Sequence, residues 1–425
     1  MAAPLLKSLA ESLGSPEPAV RLILSLVIGY PFALVYRWFL FYQSPTVLHL
    51  FHTLSGLALA VFNFGSQVYH SAVCILVQFL MLRLMGRTVT SVLSSFVFQM
   101  VYLLAGYYYT ATEEYDIKWT MPHCVLTLKL IESAAEGCSP DVGALPAGGS
   151  WLLLLTTGAS CVLPAMKRFA VGFLFLVIYA IFSPYYPDSY FLTDEFEAQP
   201  FWYRCVFMLL WAKFNLYKYV TCWLIAEGVC ILSGLGYNGV AEGKHQWDAC
   251  ANMKVWLFET TPRFQGTIDS FNINTNEWAG RNVFKRCRFL GNKALSHILT
   301  LLFLTVWHGL HSGYLICFSM EFLIITVEKR FASLVNDSPT LTRLANSSLY
   351  PLIYVVQQFL HWFFMAYSLV PFCLLTYDKW LKVEMFIFPV FQVQMSVYFL
   401  GHVFFIVAFL SVPYLRKMFV PKKER

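Results

Sequence analysis

Long, continuous runs of apolar residues dominate the chain. Runs such as Phe173–Tyr179 and Leu299–Val306 contain no charged residue. The apolar positions are continuous rather than alternating, which favours helices over the strands of a membrane barrel. A helix that crosses a bilayer needs about 20 mostly apolar residues, and several stretches reach that length. The pattern therefore predicts an all-α, polytopic transmembrane bundle.

The apolar segments can be counted along the sequence, and they predict about ten or eleven membrane helices, some of them short. The segments are Ala19–Tyr42, Val47–Phe64, Ser71–Leu84, Val89–Tyr109, His123–Ile131, Phe169–Tyr185, Trp202–Ala226, Val229–Leu235, Leu295–Val327, Leu349–Thr376 and Val397–Leu415. Several prolines fall in or beside these runs, and they predict kinked helices around an internal cavity. They are Pro31, Pro122, Pro164, Pro351 and Pro371.

One long polar stretch, residues 236–294, interrupts the apolar pattern. It is rich in aromatic residues, such as Trp247, Trp256 and Trp278, which a disordered linker would lack. We therefore predict an ordered loop, partly helical, at the membrane interface. Its excess of basic residues, and the basic tail at residues 416–425, predict that both are cytosolic. On this interpretation residues 1–425 form a single membrane-embedded domain.

The segment Leu295–Val327 is too long for a single membrane helix. At about 1.5 Å per residue it would extend roughly 50 Å, whereas the hydrocarbon core is about 30 Å thick. Two cytosolic ends also require an even number of crossings between Lys293 and Arg416, and three apolar segments lie there. We expect this segment to be broken, re-entrant or buried within the protein.

The composition is that of a membrane protein and argues against several classes of function. Hydrophobic residues make up 58% of the 425-residue chain and charged residues 13%, against roughly 25% charged in an average soluble domain. The net charge of +6 is interpreted as membrane orientation, and no basic run interleaved with aromatic residues indicates nucleic-acid binding. The 11 cysteines include no C-x-x-C pair, so we expect mostly reduced, buried thiols rather than a zinc or redox site.

His308 is the first candidate for chemistry, because it lies within an apolar stretch. An ionisable residue at membrane depth is a functional hypothesis by default, and the usual pKa of histidine, about 6.5, suits proton transfer. The alternative is a hydrogen-bonded core histidine facing a neighbouring helix. His311 follows at a helical spacing of three, on the same predicted face, and offers a weaker hypothesis of a metal pair. Ser312 lies in no G-x-S-x-G elbow, so a serine hydrolase is disfavoured.

Two motifs then make the interpretation specific. Trp307-His308-Gly309-Leu310-His311-Ser312-Gly313-Tyr314 resembles the histidine motif of the membrane-bound O-acyltransferases. Upstream, Ser270-Phe271-Asn272-Ile273-Asn274-Thr275-Asn276-Glu277-Trp278 resembles the asparagine motif of that family. The two motifs occur in the order of the family, and His308 follows Asn272 by 36 positions (308 − 272). Further segments, among them Phe62-Asn63-Phe64-Gly65, are similar to the lysophosphatidylcholine acyltransferase branch, and most of all to its type-three members.

The resemblance implies an acyl-CoA-dependent acyltransferase that remodels phospholipids in the endoplasmic reticulum membrane. It implies a catalytic base at His308 and a catalytic partner at Asn272, with a fatty acyl group passing from acyl-CoA to a lysophospholipid hydroxyl. Acyl-CoA is then a co-substrate, and neither a cofactor nor a metal is expected. For Asn272, the alternative from the residues alone is a cap or turn in an Asn-rich loop. Substrate-binding residues and the oligomeric state are not indicated.

Two other classes stay open at this point. A transporter would show charged residues within the spans and repeat symmetry, and neither is convincing here. A different member of the same family would acylate a sterol, a diacylglycerol or a protein instead of a lysophospholipid.

Three features of the sequence affect these expectations. Residues 132–165 depart from the family pattern, and within them Trp151–Leu163 is shorter than a membrane span. We therefore expect that this chain lacks a complete helix that the relatives have. We also expect its stability or activity to be lower than that of the full-length relatives. Residues Glu384 to Met395 look inserted. The chain ends Lys422-Lys423-Glu424-Arg425, which resembles a dilysine retrieval signal of endoplasmic-reticulum membrane proteins.

Overall fold

The structure is a computed structural model that describes residues 2–12, 14–112, 117–135, 160–385 and 397–420. Most of the inserted residues Glu384 to Met395, the dilysine at Lys422-Lys423 and most of the divergent segment 132–165 lie outside the described residues. The expectations that rest on them therefore stay predictions.

Helices dominate the described residues. The α-helices are α1 (Ala2–Ser12), α2 (Glu17–Val35), α3 (Pro45–Phe64), α4 (Tyr69–Met85), α5 (Val89–Thr110), α6 (Thr120–Ala135), α7 (Val162–Phe182), α8 (Asp194–Ala198), α9 (Phe201–Ser233), α10 (Val255–Thr260), α11 (Phe264–Ile268), α12 (Ile273–Ala279), α13 (Lys293–His308), α14 (Ser312–Asp337), α15 (Pro339–Ala345), α16 (Tyr350–Leu374), α17 (Tyr377–Met385) and α18 (Val397–Phe419). Short π-helical turns occur at Tyr36–Leu40 and Gly280–Phe284, and 3₁₀ turns at Gly65–Val68, Ser183–Tyr185, Asp188–Leu192 and Arg286–Leu290. Strands β1 (Val240–Ala241) and β2 (Lys244–His245) form an antiparallel hairpin.

Six helical stretches of the described residues are long and apolar enough to cross a membrane. They are Glu17–Leu40, Pro45–Met85, Val89–Thr110, Val162–Leu192, Phe201–Ser233 and Tyr350–Leu374. The stretch Pro45–Met85 contains both α3 and α4, joined by the turn at Gly65–Val68. Other predicted segments are not among these six. One of them contains α13, which has 16 residues, fewer than the roughly 20 that a membrane crossing needs.

The apolar pattern predicted two separate helices on either side of Glu227-Gly228, but the structure has one continuous helix there. The predicted segments Trp202–Ala226 and Val229–Leu235 join in the single helix α9. Glu227 is tolerated inside this helix because its carboxylate pairs with Arg168 at 3.2 Å and accepts the backbone N–H of Asn252 at 2.7 Å. Because these partners compensate the buried charge, the helix can continue through Glu227.

The prolines also differ from expectation. Of the five prolines singled out, only Pro31 and Pro371 lie in the interior of described helices, in α2 and α16. Pro122, Pro164 and Pro351 fall in the first turns of α6, α7 and α16. A proline is compatible with the first turn of a helix because the missing N–H has no intrahelical partner there. Three of the five predicted kinks are therefore helix starts.

The described backbone forms two compact units. The first comprises the described residues of Met1–Thr112, Asp116–Phe175 and Tyr219–Asn252, and the second comprises those of Leu176–Lys218 and Met253–Arg425. In the first unit α5 packs against α4 and α6. In the second unit α14 is central, because it packs against α13, α16 and α18. Both motifs lie in the second unit.

The polar stretch 236–294 is ordered and partly helical. It contains the β1–β2 hairpin, helices α10, α11 and α12, and the turns that follow them. Its aromatic residues take part in packing, since Trp278 is buried and the Phe258 ring stacks on Phe271 at 5.3 Å between centroids. The predicted interfacial and cytosolic position of this stretch stays a prediction.

Candidate active site

Helix α13 ends at His308 because of Gly309. This glycine has a φ of +148°, a conformation that side chains with a Cβ rarely adopt. A Cβ at this position would also lie 2.9 Å from the Tyr314 ring. The segment Leu295–Val327 is therefore broken after His308, as its length predicted.

The break separates the two histidines of the motif. Helix α14 begins at Ser312, with His311 as its N-cap residue, so His308 and His311 belong to different elements. The prediction that they share one helical face was wrong, because the i, i+3 relation requires a continuous helix. The His311 ring packs against Tyr314, with 6.1 Å between centroids.

Gly313 and Ser312 fix the start of α14 against the end of α16. The Gly313 N–H donates to the Leu375 carbonyl at 3.0 Å, and a Cβ on Gly313 would overlap the Pro371 carbonyl. The Trp380 indole N–H donates to the Ser312 hydroxyl oxygen at 3.0 Å. The small residues of the motif thus allow close packing, and the Ser312 hydroxyl accepts a structural hydrogen bond.

The ring of His308 is held in one orientation. Its Nδ1 lies 2.8 Å from the carbonyl oxygen of Leu304, one helical turn earlier. A carbonyl oxygen only accepts hydrogen bonds, so Nδ1 carries the proton in this arrangement. In the neutral imidazole the lone pair is then on Nε2. The orientation leaves a defined nitrogen available to accept a proton.

Aromatic residues surround His308 on several sides. The ring centroids of Trp307, Tyr314, Phe318 and Phe372 lie 4.6, 5.8, 5.1 and 5.4 Å from that of His308. These side chains come from α13, α14 and α16. They limit the access of water to the imidazole, and electrostatic interactions are stronger where water is excluded.

The asparagine motif forms a tight turn that leads into α12. Asn272 is the N-cap residue and has a φ of +53°, but its side chain does not cap the helix. The amide of Asn276 fills the structural role instead, because it donates to the carbonyls of Ile268 at 3.0 Å and Phe271 at 2.9 Å. The cap interpretation that the residues alone favoured for Asn272 therefore fails for its side chain. Asparagine is among the few residues other than glycine that tolerate a positive φ.

Trp278 connects the asparagine motif to helix α13, which carries His308. The Trp278 ring stacks on Phe303 of α13, with 5.7 Å between centroids. Within the described residues, no hydrogen bond or ring contact joins Asn272 directly to His308. The structure therefore places both residues in the same unit and connects their elements through an aromatic pair.

Comparison with known proteins decides the family. The family model described as MBOAT, membrane-bound O-acyltransferase family, matches residues 154–370, which include both motifs. The chain belongs to the membrane-bound O-acyltransferase family. It is therefore an acyltransferase, and both the polytopic helical fold and the resemblance of the two motifs are confirmed.

Several members of this family are similar over almost the whole chain. The human protein named "Lysophospholipid acyltransferase 5" is 53% identical over 465 aligned positions, covering 99% of this chain and 93% of the relative. The Drosophila melanogaster protein of the same name is 36% identical and covers 89% and 86%. The 465 aligned positions exceed the 425 residues of the chain by 40, so the human relative has residues that this acyltransferase lacks.

A buried histidine of the second unit was missed at the sequence level. His361 lies in α16, where its Nε2 is 3.1 Å from the Thr267 hydroxyl of α11, and its ring packs against Phe264. Its Nδ1 is buried with no hydrogen-bond partner in the structure. The sequence did contain a signal that could have identified His361, because it is an ionisable residue in the apolar segment Leu349–Thr376.

An apolar cavity lies beside the histidine motif, between α13 and α14. Its volume is about 240 Å³. The residues that line it are Ile298, Leu301, Leu302, Thr305, Leu315, Phe318, Ser319, Phe322 and Leu323. Phe318 contacts both the cavity and the His308 ring, so the cavity adjoins the proposed base.

Proposed function

We propose that this acyltransferase transfers a fatty acyl group from acyl-CoA to the hydroxyl of a lysophospholipid, with lysophosphatidylcholine the favoured acceptor. The observation that carries the proposal is the oriented imidazole of His308, which presents Nε2 while Nδ1 donates to Leu304. The names of the similar proteins support the class of acceptor, since the relatives from human and Drosophila are called lysophospholipid acyltransferases. The use of acyl-CoA as the donor is inferred from the family resemblance.

The reaction needs a base because a lipid hydroxyl does not ionise near neutral pH. As the hydroxyl oxygen attacks the thioester carbonyl carbon, Nε2 of His308 takes the hydroxyl proton. The tetrahedral intermediate then collapses, the carbon–sulfur bond breaks, and the proton passes from His308 to the departing CoA sulfur. His308 returns to its neutral form, and such a base contributes roughly 10²–10⁴-fold in rate.

Asn272 is the proposed partner of His308. Its side chain makes no cap to α12, and Asn276 already holds the turn. The Asn272 amide is thus available to donate to the developing oxyanion or to orient the acceptor hydroxyl. A single donor to an oxyanion is worth about 10²–10³-fold in turnover.

The two ends of the donor need different surroundings. The acyl chain is apolar, and the cavity next to Phe318 is lined mainly by apolar side chains. The CoA moiety is polyanionic, and the stretch 236–294 supplies basic residues, among them Lys254, Arg263, Arg281 and Lys285. We propose the cavity for the acyl chain and the basic stretch as the side from which CoA enters.

We further propose an endoplasmic-reticulum location with a cytosolic C-terminus. The dilysine at Lys422 and Lys423 and the excess of basic residues in the tail support this orientation. Protease treatment of sealed microsomes gives the test: a protected, lumenal tail contradicts the orientation. Replacing both lysines by serine is expected to let part of the protein reach the Golgi.

The central experiment is an acyl-transfer assay on the purified full chain in detergent or nanodiscs. A panel of acyl-CoA donors is combined with lysophosphatidylcholine, other lysophospholipids, a sterol and a diacylglycerol. We expect transfer to lysophospholipids, fastest to lysophosphatidylcholine. Transfer only to a sterol or diacylglycerol would contradict the acceptor class while leaving the family assignment intact.

A further inference from the structure

The turn that leads into α13 carries a cluster of basic side chains. Four exposed cations lie within residues 285–293, which we name the basic turn, and they are Lys285, Arg286, Arg288 and Lys293. The sequence contains no acidic residue between Glu277 and Glu321. Among the residues that the structure describes, no carboxylate forms a salt bridge with any of the four cations. The protein itself therefore leaves the positive charge of the basic turn uncompensated.

Exposed apolar side chains continue from the basic turn along one face of α13. Phe289 is 83% exposed and lies among the cations, in the 3₁₀ turn Arg286–Leu290. On α13, Leu295, Ile298 and Leu302 are exposed at spacings of three and four, so they share one helical face. An exposed apolar stripe of this kind marks a surface that contacts lipid or a partner. The surface is therefore amphiphilic, with positive charge at one end and an apolar stripe leading away from it.

The basic turn is attached firmly to the first turn of α13. The Asn292 side chain caps α13 by accepting two of its first backbone N–H groups, at 3.0 and 3.1 Å. The Ser296 hydroxyl, one turn into the helix, donates to the Cys287 carbonyl at 3.0 Å. A ligand that holds the basic turn therefore also holds the start of α13, and the same helix ends at His308.

We propose that this surface binds an anionic phospholipid of the surrounding bilayer, with the phosphate headgroup at the basic turn and the acyl chains along Phe289 and the α13 stripe. Clusters of basic residues beside a membrane helix attract anionic lipid headgroups electrostatically. A phospholipid of this kind matches both parts of the surface at once, because its headgroup is negatively charged and its chains are apolar. A free phosphate would match only the cations, and a lipid without net charge would match mainly the stripe.

A lipid bound at this surface acts on the candidate base through α13. Ile298 and Leu302 of the stripe also line the cavity beside the histidine motif, so α13 forms one wall of that cavity. A helix that is held at its start adopts fewer orientations, and small misplacements of catalytic groups are costly. We therefore expect turnover to rise with the content of anionic lipid. This expectation rests on the proposed acyl transfer, whereas the lipid binding itself does not.

Lipid binding is measured by native mass spectrometry of the purified full chain in detergent, titrated with phosphatidylinositol phosphate, phosphatidylserine or phosphatidylcholine. We expect affinity to fall in that order, because the negative charge of the headgroup falls, and to weaken as salt is raised. Replacing two cations together, Arg286→Gln with Arg288→Gln, should weaken binding of the phosphoinositide about fivefold for each charge removed. Phe289→Ser should weaken it as well. Equal affinity of the parent for all three lipids, or unchanged affinity in the double variant, would overturn the proposal.

A second pair of arginines gives the matched control, Arg83→Gln with Arg87→Gln. Both are exposed at the end of α4, beside the exposed Leu84, so the same charge is removed at another helix end. The control should keep the lipid affinity of the parent. A loss equal to that of the Arg286 and Arg288 variant would mean that any surface charge has this effect, and it would overturn the proposal.

Acyl transfer in nanodiscs separates the lipid from the co-substrate. In phosphatidylcholine discs the Arg286 and Arg288 variant should keep the parental KM for acyl-CoA, and in discs that also contain phosphatidylserine it should lack the stimulation that the parent shows. A raised KM in the phosphatidylcholine discs would assign these cations to CoA and overturn the proposal. Lipid binding as expected in a protein that transfers no acyl group would support the lipid site and overturn only the proposed function.

Discussion

His308 and His361 are two histidines of the same unit whose surroundings differ in the features that matter for catalysis. His308 ends a helix, is partly accessible, and donates from Nδ1 to a carbonyl oxygen. His361 lies within α16, is 6% exposed, and bonds to the hydroxyl of Thr267. A hydroxyl both donates and accepts, so this bond does not determine which nitrogen of His361 carries the proton.

The difference distinguishes a candidate base from a core histidine. A general base needs a defined lone pair that substrate can reach, and His308 meets both conditions through its carbonyl partner and its position beside the Gly309 break. His361 meets neither, because its contacts bury both nitrogens between α11 and α16. Burial in an apolar segment alone, which both residues share, therefore does not identify the catalytic residue.

The largest expected effect comes from His308→Ala. Removing the base should lower turnover by at least about 10²-fold, while expression and the thermal unfolding temperature stay close to those of the parent. Acyl transfer and unfolding are measured on the same purified preparations. A variant that keeps more than about a tenth of the parental rate would rule out the base. His311→Ala is the matched control and should lose less activity, since His311 lies beyond the break; equal loss would revive the metal hypothesis.

Asn272 gives the next largest effect and can be tested with a graded series. Asn272→Gly keeps the backbone relaxed at a φ of +53°, whereas Asn272→Ala strains it, and both remove the amide. If the amide acts in the transition state, both variants should lose about 10²-fold or more in kcat with little change in KM for acyl-CoA. Full activity in Asn272→Gly, with loss only in Asn272→Ala, would instead make Asn272 a backbone residue.

Gly309→Ala tests whether the helix break orients His308. The new Cβ would clash with the Tyr314 ring, and alanine would have to adopt a backbone φ that suits glycine. The Tyr314 ring, which packs on His308, would therefore have to shift. We expect roughly a tenfold loss of kcat, or more, because small misplacements of catalytic groups are costly. Ser312→Ala is the control nearby, since it removes only the bond from Trp380. Similar losses in both variants would show that general disruption of the turn, rather than His308 orientation, controls activity.

Thr267→Val should have the smallest effect of these variants. It should change the stability of the protein and leave the rate of acyl transfer unchanged. It removes the partner of His361 Nε2 at nearly constant volume, and the net contribution of a typical intramolecular hydrogen bond to stability is about 0.5–1.5 kcal/mol. We expect a slightly lower unfolding temperature with kcat unchanged, measured on the purified protein. A drop in kcat as large as that of His308→Ala, with no loss of stability, would mean that His361 takes part in catalysis and that the comparison fails.

Several features could be predicted from the sequence because they depend on local or additive properties. Continuous apolar runs specify membrane helices, since each backbone group must be paired within its own segment. The length of Leu295–Val327 predicted its break, because a straight helix of that length exceeds the bilayer core. The two motifs indicated the family, and they identified His308 and Asn272 as candidates.

Other features were decided only by residues that are distant in the sequence. Helix α9 continues through Glu227 because Arg168 and the Asn252 backbone satisfy its charge, and no local rule reveals those partners. His308 and His311 share a helical spacing, yet Gly309 and the Tyr314 ring place them on separate elements. His361 and Thr267 are 94 positions apart. The sequence determined which segments are apolar enough to enter a membrane, because hydrophobic transfer is a sum over each segment, and it indicated the candidate catalytic residues. The tertiary structure decided which polar groups meet, because hydrogen bonds and close packing act only between atoms that the fold has brought into contact.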